Sequence, residues 1–192
     1  MPSLPEFALS EEDRRALLEF ARQSVQTAVT RTESPTAPPG AIFERRCGAF
    51  VTLHVRGKLR GCIGIIESDE PLCVSIGHCA ASAALHDPRF SPVRAEELAD
   101  LQIEISLLSP PAPIRPEEIE IGRHGLIVAK DRYRGLLLPQ VAVEHSLSSE
   151  EFLGETCRKA GLPRDAWKSG PLQILGFTCE VFSDHSESSI SA

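Results

Sequence analysis

The chain lacks several things that would classify it at once. No apolar run approaches the ~20 residues of a membrane span, which excludes a spanning helix. The opening stretch Met1-Pro2-Ser3-Leu4-Pro5-Glu6 has neither a basic patch nor an apolar core, so it does not read as a secretory leader. The cytoplasm is the expected location. There is no basic surplus either: 20 Lys+Arg stand against 27 Asp+Glu, a net charge of −7. Sequence-independent binding along a phosphate backbone needs the opposite balance. Aromatic residues are only 5% of the chain, and Tyr133 is the one aromatic near a basic cluster, so stacking platforms for single-stranded nucleic acid are missing. The six cysteines include no pair at Cys-x-x-Cys spacing, which argues against a structural zinc site. With no leader they read as thiols rather than a disulfide framework. No segment repeats.

What remains is an ordinary soluble composition: 192 residues, 42% hydrophobic and 24% charged. That length suits a single domain, 1–182, with a frayed serine-rich tail over 183–192, and buries roughly 70% of the unfolded surface. Ser10 with Asp13 marks a helix start, and Leu17, Phe20, Ala21 and Val25 then recur at helical spacing. Ala49–Val55 and Leu59–Ile65 form a hairpin around Arg56-Gly57-Lys58. Pro71 opens a second helix with Leu72, Ile76, Ala80 and Ala84 on one face, ended by Asp87-Pro88. Leu101–Leu108 alternates as a core strand, and Leu126–Lys130 and Leu136–Leu138 follow as shorter ones. Ser148 with Glu151 forms a capping box for a further helix, closed by Gly161 and Pro163. Leu172–Phe182 is the last strand. Strands and helices mix without strict alternation, which predicts an α+β fold: a mixed sheet flanked by helices.

Chemistry concentrates in Leu59-Arg60-Gly61-Cys62-Ile63-Gly64. Arg60 and Cys62 share one strand face, Leu59 and Ile63 the other. A three-residue hairpin loop places His54 beside Arg60 and Thr52 beside Cys62, at roughly 5 Å between Cβ atoms. A guanidinium next to a thiol favours the nucleophilic thiolate. Gly61 and Gly64 let a ligand or another backbone approach closely. The competing reading is structural, since a single strand cysteine is ordinarily a small buried hydrophobe.

Other groups are open to two readings as well. Cys73, His78, Cys79 and His86 lie on one helix, where Cys79 and His86 share a face, yet packed thiols account for them equally. Gly122-Arg123-His124-Gly125 is a glycine-bracketed turn: either solvated, or a held histidine for proton transfer. Lys130, Arg132 and Arg134 form a small basic cluster. Asp87-Pro88-Arg89-Phe90 fits a helix-ending turn with an Asp–Arg pair. Glu104 and Ser106 occupy the polar side of the 101–108 strand.

Six separated motifs together resemble the AMMECR1 domain family: the hairpin from Phe50 to Gly64, Asp87-Pro88-Arg89-Phe90-Ser91-Pro92, Ile103–Pro110, Ile121–Leu126, Gly135–Ala142, and Lys159-Ala160-Gly161-Leu162-Pro163. The likeness is to its prokaryotic branch, the AmmeMemoRadiSam system A proteins. The resemblance implies a larger and a smaller subdomain with a cleft between them, and genes beside a Memo-like protein and a radical-SAM enzyme. On that basis the chain is expected to be an enzyme or an enzyme's substrate-handling subunit, with Cys62, Arg60, His124 and Glu104 as catalytic candidates. Gly61, Gly64, Arg89 and Arg123 are the substrate-binding candidates. No metal ligands and no cofactor are assigned. A non-catalytic binding module of the same assembly is the alternative, and RNA binding through Arg56, Lys58, Arg60, Arg132 and Arg134 is disfavoured by the acidic balance.

Overall fold

The structure, a computed structural model, describes residues 9–169 and 171–184. Among these the chain divides into two compact units, one holding residues 9–107 and 180–184, the other 108–179.

The first unit begins with α1 (Glu11–Thr30). Ser10 and Asp13 form the expected reciprocal cap, the Ser10 hydroxyl accepting the Asp13 amide and the Asp13 carboxylate accepting the Ser10 amide. The helix ends on Arg31, which takes the left-handed conformation at φ 56°. Strands β1 (Gly48–Val55) and β2 (Lys58–Ile65) pair antiparallel, α2 (Leu72–Leu85) packs across them and against α1, and β3 (Leu101–Leu108) lies on the other side of β1. The alternation read from the sequence is the one that forms the core: Val51 and Leu53 of β1, Ile103 and Ile105 of β3, and Leu72, Ile76 and Ala80 of α2 are all essentially inaccessible to solvent.

The hairpin turn departs from expectation. Its loop is two residues, Arg56 and Gly57, both left-handed at φ 51° and 72°, the dihedral pattern of a tight type I′ turn. Val55 therefore pairs with Lys58 and His54 with Leu59, not with Arg60. A β-bulge next to Leu53 absorbs the extra residue, so Leu53 still faces Gly61 and Thr52 still faces Cys62. Arg60 is the residue left without a cross-strand partner.

In the second unit β4 (Ala112–Pro113) and β5 (His124–Lys130) both pair antiparallel with β7 (Gln173–Ser183), and β6 (Tyr133–Leu137) closes a hairpin on β5. α3 (Pro139–Glu144) and α4 (Ser149–Lys159) complete it, α4 capped by Ser148 and Glu151 as the sequence predicts. Leu126, Val128, Ala142, Phe152 and Cys157 form its core. Two elements differ from the sequence reading. β6 starts earlier because Asp131, at φ 53°, lets the chain reverse sharply. α3 has no counterpart in that reading, since six residues opened by Pro139 are too few to show a period.

The last residues of β7 belong to the first unit, where Glu180 pairs with Arg14 at 2.7 Å. The expected tail begins inside ordered structure: Ser183 ends β7, and Asp184 accepts from the Ile103 amide at 2.9 Å and pairs with Arg22. Residues 185–192 of that tail lie outside the described residues. No helix among the described residues is long and apolar enough to cross a membrane.

Two glycines of the first unit make opposite predictions. A Cβ on Gly61 would sit 2.1 Å from the Ala83 carbonyl oxygen, a clash between two backbones. Gly61→Ala should destabilise by about 1–3 kcal/mol in urea unfolding, as overpacking does. Gly77, inside α2, has only ordinary contacts at 3.7 Å and beyond. Gly77→Ala should stabilise by roughly 0.5–1 kcal/mol.

Candidate functional site centred on Cys62

Because Thr52 and Cys62 are directly opposite, the Thr52 hydroxyl donates to the Cys62 sulfur at 3.3 Å. The backbone of Cys62 is bonded not to β1 but to side chains on its other flank. Its amide donates to Asp87 Oδ2 at 2.9 Å, and its carbonyl accepts from Arg89 Nη2 at 3.3 Å. Asp87 and Arg89 come from the turn that ends α2, where Pro88 forbids helical continuation.

The Asp87 side chain is 2% exposed, so its charge must be satisfied locally. It is: Oδ1 accepts from the Arg89 amide and Nε at 3.1 and 3.0 Å, and Oδ2 accepts from Arg89 Nη2 at 2.7 Å besides the Cys62 amide. These bonds, that from the Arg89 side chain foremost, hold the Asp87 carboxyl far below the usual carboxylate range. Arg89 is the more accessible partner, 55% exposed, with its guanidinium over the Phe90 ring. It is held protonated by Asp87 and also senses the Cys62 side chain, through charge and as an acceptor. Nη1 of Arg89 has no acceptor among the described residues.

Arg60 is differently employed. The bulge turns it toward the segment 91–97, where Nε and Nη2 form a two-pronged bond with Glu97 at 2.8 and 3.1 Å. Nη1 and Nη2 also donate to the carbonyls of Ser91 and Pro92. The Arg60 side-chain bond is the first cause that lowers the Glu97 carboxyl to about 2. Arg60 is thus a tie between β2 and that segment, and Arg89 is the guanidinium beside the thiol. The space next to both glycines is filled by the protein itself. Gly61 abuts the Ala83 carbonyl, and Gly64 lies under the Phe50 ring, which a Cβ would meet at 2.1 Å.

Glu104 is half-buried on β3, where it alternates with the buried Ile103 and Ile105. It has no hydrogen-bond or ion-pair partner among the described residues. His124 and Arg123 belong to the second unit. His124 is 5% exposed and its Nδ1 accepts the Glu120 amide at 3.2 Å, while Arg123 pairs with Glu120 at 3.0 Å. Among the other thiols, burial raises Cys47 and Cys79 to about 11 and pushes Cys157 up as well. Cys62 is half-buried. Among the described residues no group of three His, Cys, Asp or Glu side chains is placed to hold a metal ion.

Sequence reasoning pairs Thr52 with Cys62 and notices the Asp87–Arg89 pair, but misses that Asp87 holds the Cys62 backbone. The usable signal is an acid at the end of an apolar helix with a cation two residues on. Glu97 carries no local signal, lying 37 residues from Arg60.

A two-unit α+β fold with a clamped half-buried cysteine on a strand defines the class of protein. The chain matches the AMMECR1 family over residues 18–182 and belongs to that family. A protein of Methanothermobacter thermautotrophicus is 40% identical over 185 residues, covering 92% of this chain and 96% of its own. Protein PF1979 of Pyrococcus furiosus is 43% identical over 182 residues, covering 89% and 84%. The crystal structure of the uncharacterized protein PH0010 from Pyrococcus horikoshii superposes with a TM-score of 0.84 at 38% identity, covering 92% of this chain and 94% of that one.

The Arg60–Glu97 pair makes a pH prediction. A carboxyl lowered from 4.5 to about 2 in the fold contributes stability that is complete above pH 4.5 and disappears as pH falls toward 2. Glu97→Gln should cost about 1.5–3 kcal/mol at neutral pH and flatten the acid limb of an unfolding-versus-pH curve over that window.

Proposed function

We propose that the protein is an enzyme, or the substrate-handling subunit of one, whose reacting group is the Cys62 thiol. The observation that carries this is Arg89: a half-exposed guanidinium fixed by a buried carboxylate, adjacent to a half-buried thiol, with Nη1 unpartnered among the described residues. Such a cation favours thiolate over thiol and can also hold a carboxylate or phosphate of an incoming electrophile. Arg89 takes the part that the sequence suggested for Arg60. Glu104, half-buried and unpartnered among the described residues, is the candidate for proton transfer. The resemblance to the AmmeMemoRadiSam branch supports work alongside a Memo-like protein and a radical-SAM enzyme. The opening stretch, with neither a basic patch nor an apolar core, supports a cytoplasmic setting.

One observation favours a second reading, a non-catalytic module of that assembly. The glycines of the Leu59–Gly64 motif are filled by Ala83 and Phe50, so part of the motif serves packing. Co-purification of the three proteins with a Cys62→Ser chain as competent as the natural one, and no thiol reactivity, would decide for the module.

The test of the first reading is the pH profile of alkylation of every cysteine in the native protein, read by peptide mass spectrometry. Cys62 should react fastest of the six. Arg89→Gln should slow it at least severalfold at pH 7 without changing Cys179. A Cys62 as slow as Cys157 overturns the proposal. Once a substrate is in hand, Cys62→Ser should fold normally and abolish turnover.

A further inference from the structure

The second unit contains a buried titratable group, His124. His124 is the first residue of β5, and its ring turns back over the segment that leads into the strand. Its backbone amide donates to the Glu120 carbonyl at 3.0 Å, while its Nδ1 accepts the Glu120 amide at 3.2 Å. One residue therefore holds both main-chain groups of Glu120, and the turn Ile121-Gly122-Arg123 is closed between them. An acceptor at Nδ1 requires the neutral imidazole with its proton on Nε2. An imidazolium would set N–H against N–H across the same contact.

We propose that His124 is a proton-operated latch: neutral, it closes the 118–124 turn by accepting the Glu120 amide, and protonated, it releases that amide and opens the turn. The surroundings fit such a device. Burial is the foremost influence on the ring and disfavours its charged form. The ionisable groups facing it are Glu120, which favours the charge, and Arg123, which opposes it, and a bond to the Glu118 main chain favours the charge weakly. Across the strand pair it meets Thr178 of β7, which carries no charge, and no charged group of β7, α3 or α4 adds to those two among the described residues. Protonation therefore also disturbs the Arg123–Glu120 pair, since the Glu120 carboxylate gains a second cation beside it. The far side of the turn stays tethered where the Ser149 hydroxyl bonds the Ile119 carbonyl at 3.3 Å. What moves is the tip, with Ile121, already 38% exposed, and Gly122, which lies beside the exposed Val143. Opening enlarges that apolar surface.

The latch lies in the second unit and is independent of the Cys62 reading. It is tested by native-state amide exchange of residues 118–124 between pH 5 and 8, corrected for intrinsic rates. A base whose protonation is suppressed in the closed state makes the opening constant rise roughly tenfold per pH unit below about 6.5, levelling off at its folded-state pKa. That slope is expected at the Glu120 amide in the natural chain and should vanish in His124→Asn, whose Oδ1 can accept the same amide but does not titrate. A flat profile in the natural chain, or equal slopes in both, overturns the proposal. If the Asn variant does not fold, ring 15N shifts of the natural protein decide it. The Nε2–H tautomer at pH 7.5, converting to imidazolium as Glu120 loses protection, supports the latch; the Nδ1–H tautomer overturns it.

Discussion

The first unit depends on the burial of one carboxylate. A charge removed from water is tolerated only where donors replace its hydration. Asp87 recruits four: three from Arg89 and one from the Cys62 amide. Meeting that demand fixes the path of the chain after α2, the orientation of the Arg89 guanidinium and the position of the Cys62 peptide together. Local geometry at the thiol is therefore not set by β2 alone. It is set by an ion pair that arrives from a turn distant in sequence.

Two arginines on this face divide the work that one was expected to do. Arg60, displaced by the bulge, is saturated by Glu97 and two carbonyls. Arg89 is anchored through one edge and open at the other. Anchoring and openness together distinguish a group that can meet a ligand from one that only braces the fold. Across the chain, the thiols of Cys47, Cys79 and Cys157 are pushed toward the neutral form by burial.

The parts of this architecture governed by local periodicity were legible in the sequence. The 101–108 alternation and the capping boxes at Ser10 and Ser148 follow from spacing, whereas the Thr52–Cys62 pairing, read with a three-residue loop, holds because the bulge compensates for the shorter turn. What escaped was decided elsewhere. The hairpin loop turned on whether Arg56 would accept a left-handed conformation, which no rule about arginine predicts, and the resulting bulge removed His54 from Arg60. α3 is too short to display a period. The acid two residues before Arg89 is visible in the sequence, but the partner of Arg60 is not: Glu97 lies 37 residues away and meets it only in three dimensions. His124 was visible as a histidine held in a glycine-bracketed turn, but the atom that holds it, the Glu120 amide, belongs to the backbone and leaves no trace in residue type.

The clamp on Cys62 has a further consequence for how the molecule behaves in a crowd. β2 is the outermost strand of its sheet. The outward amide and carbonyl at the middle of such a strand are what a neighbouring chain uses to add itself and begin aggregation. Here both are taken, the amide by Asp87 and the carbonyl by Arg89. A foreign strand would have to displace a buried carboxylate and its arginine to gain two hydrogen bonds. The same side chains that dress the thiol thus seal the sheet border against unwanted pairing.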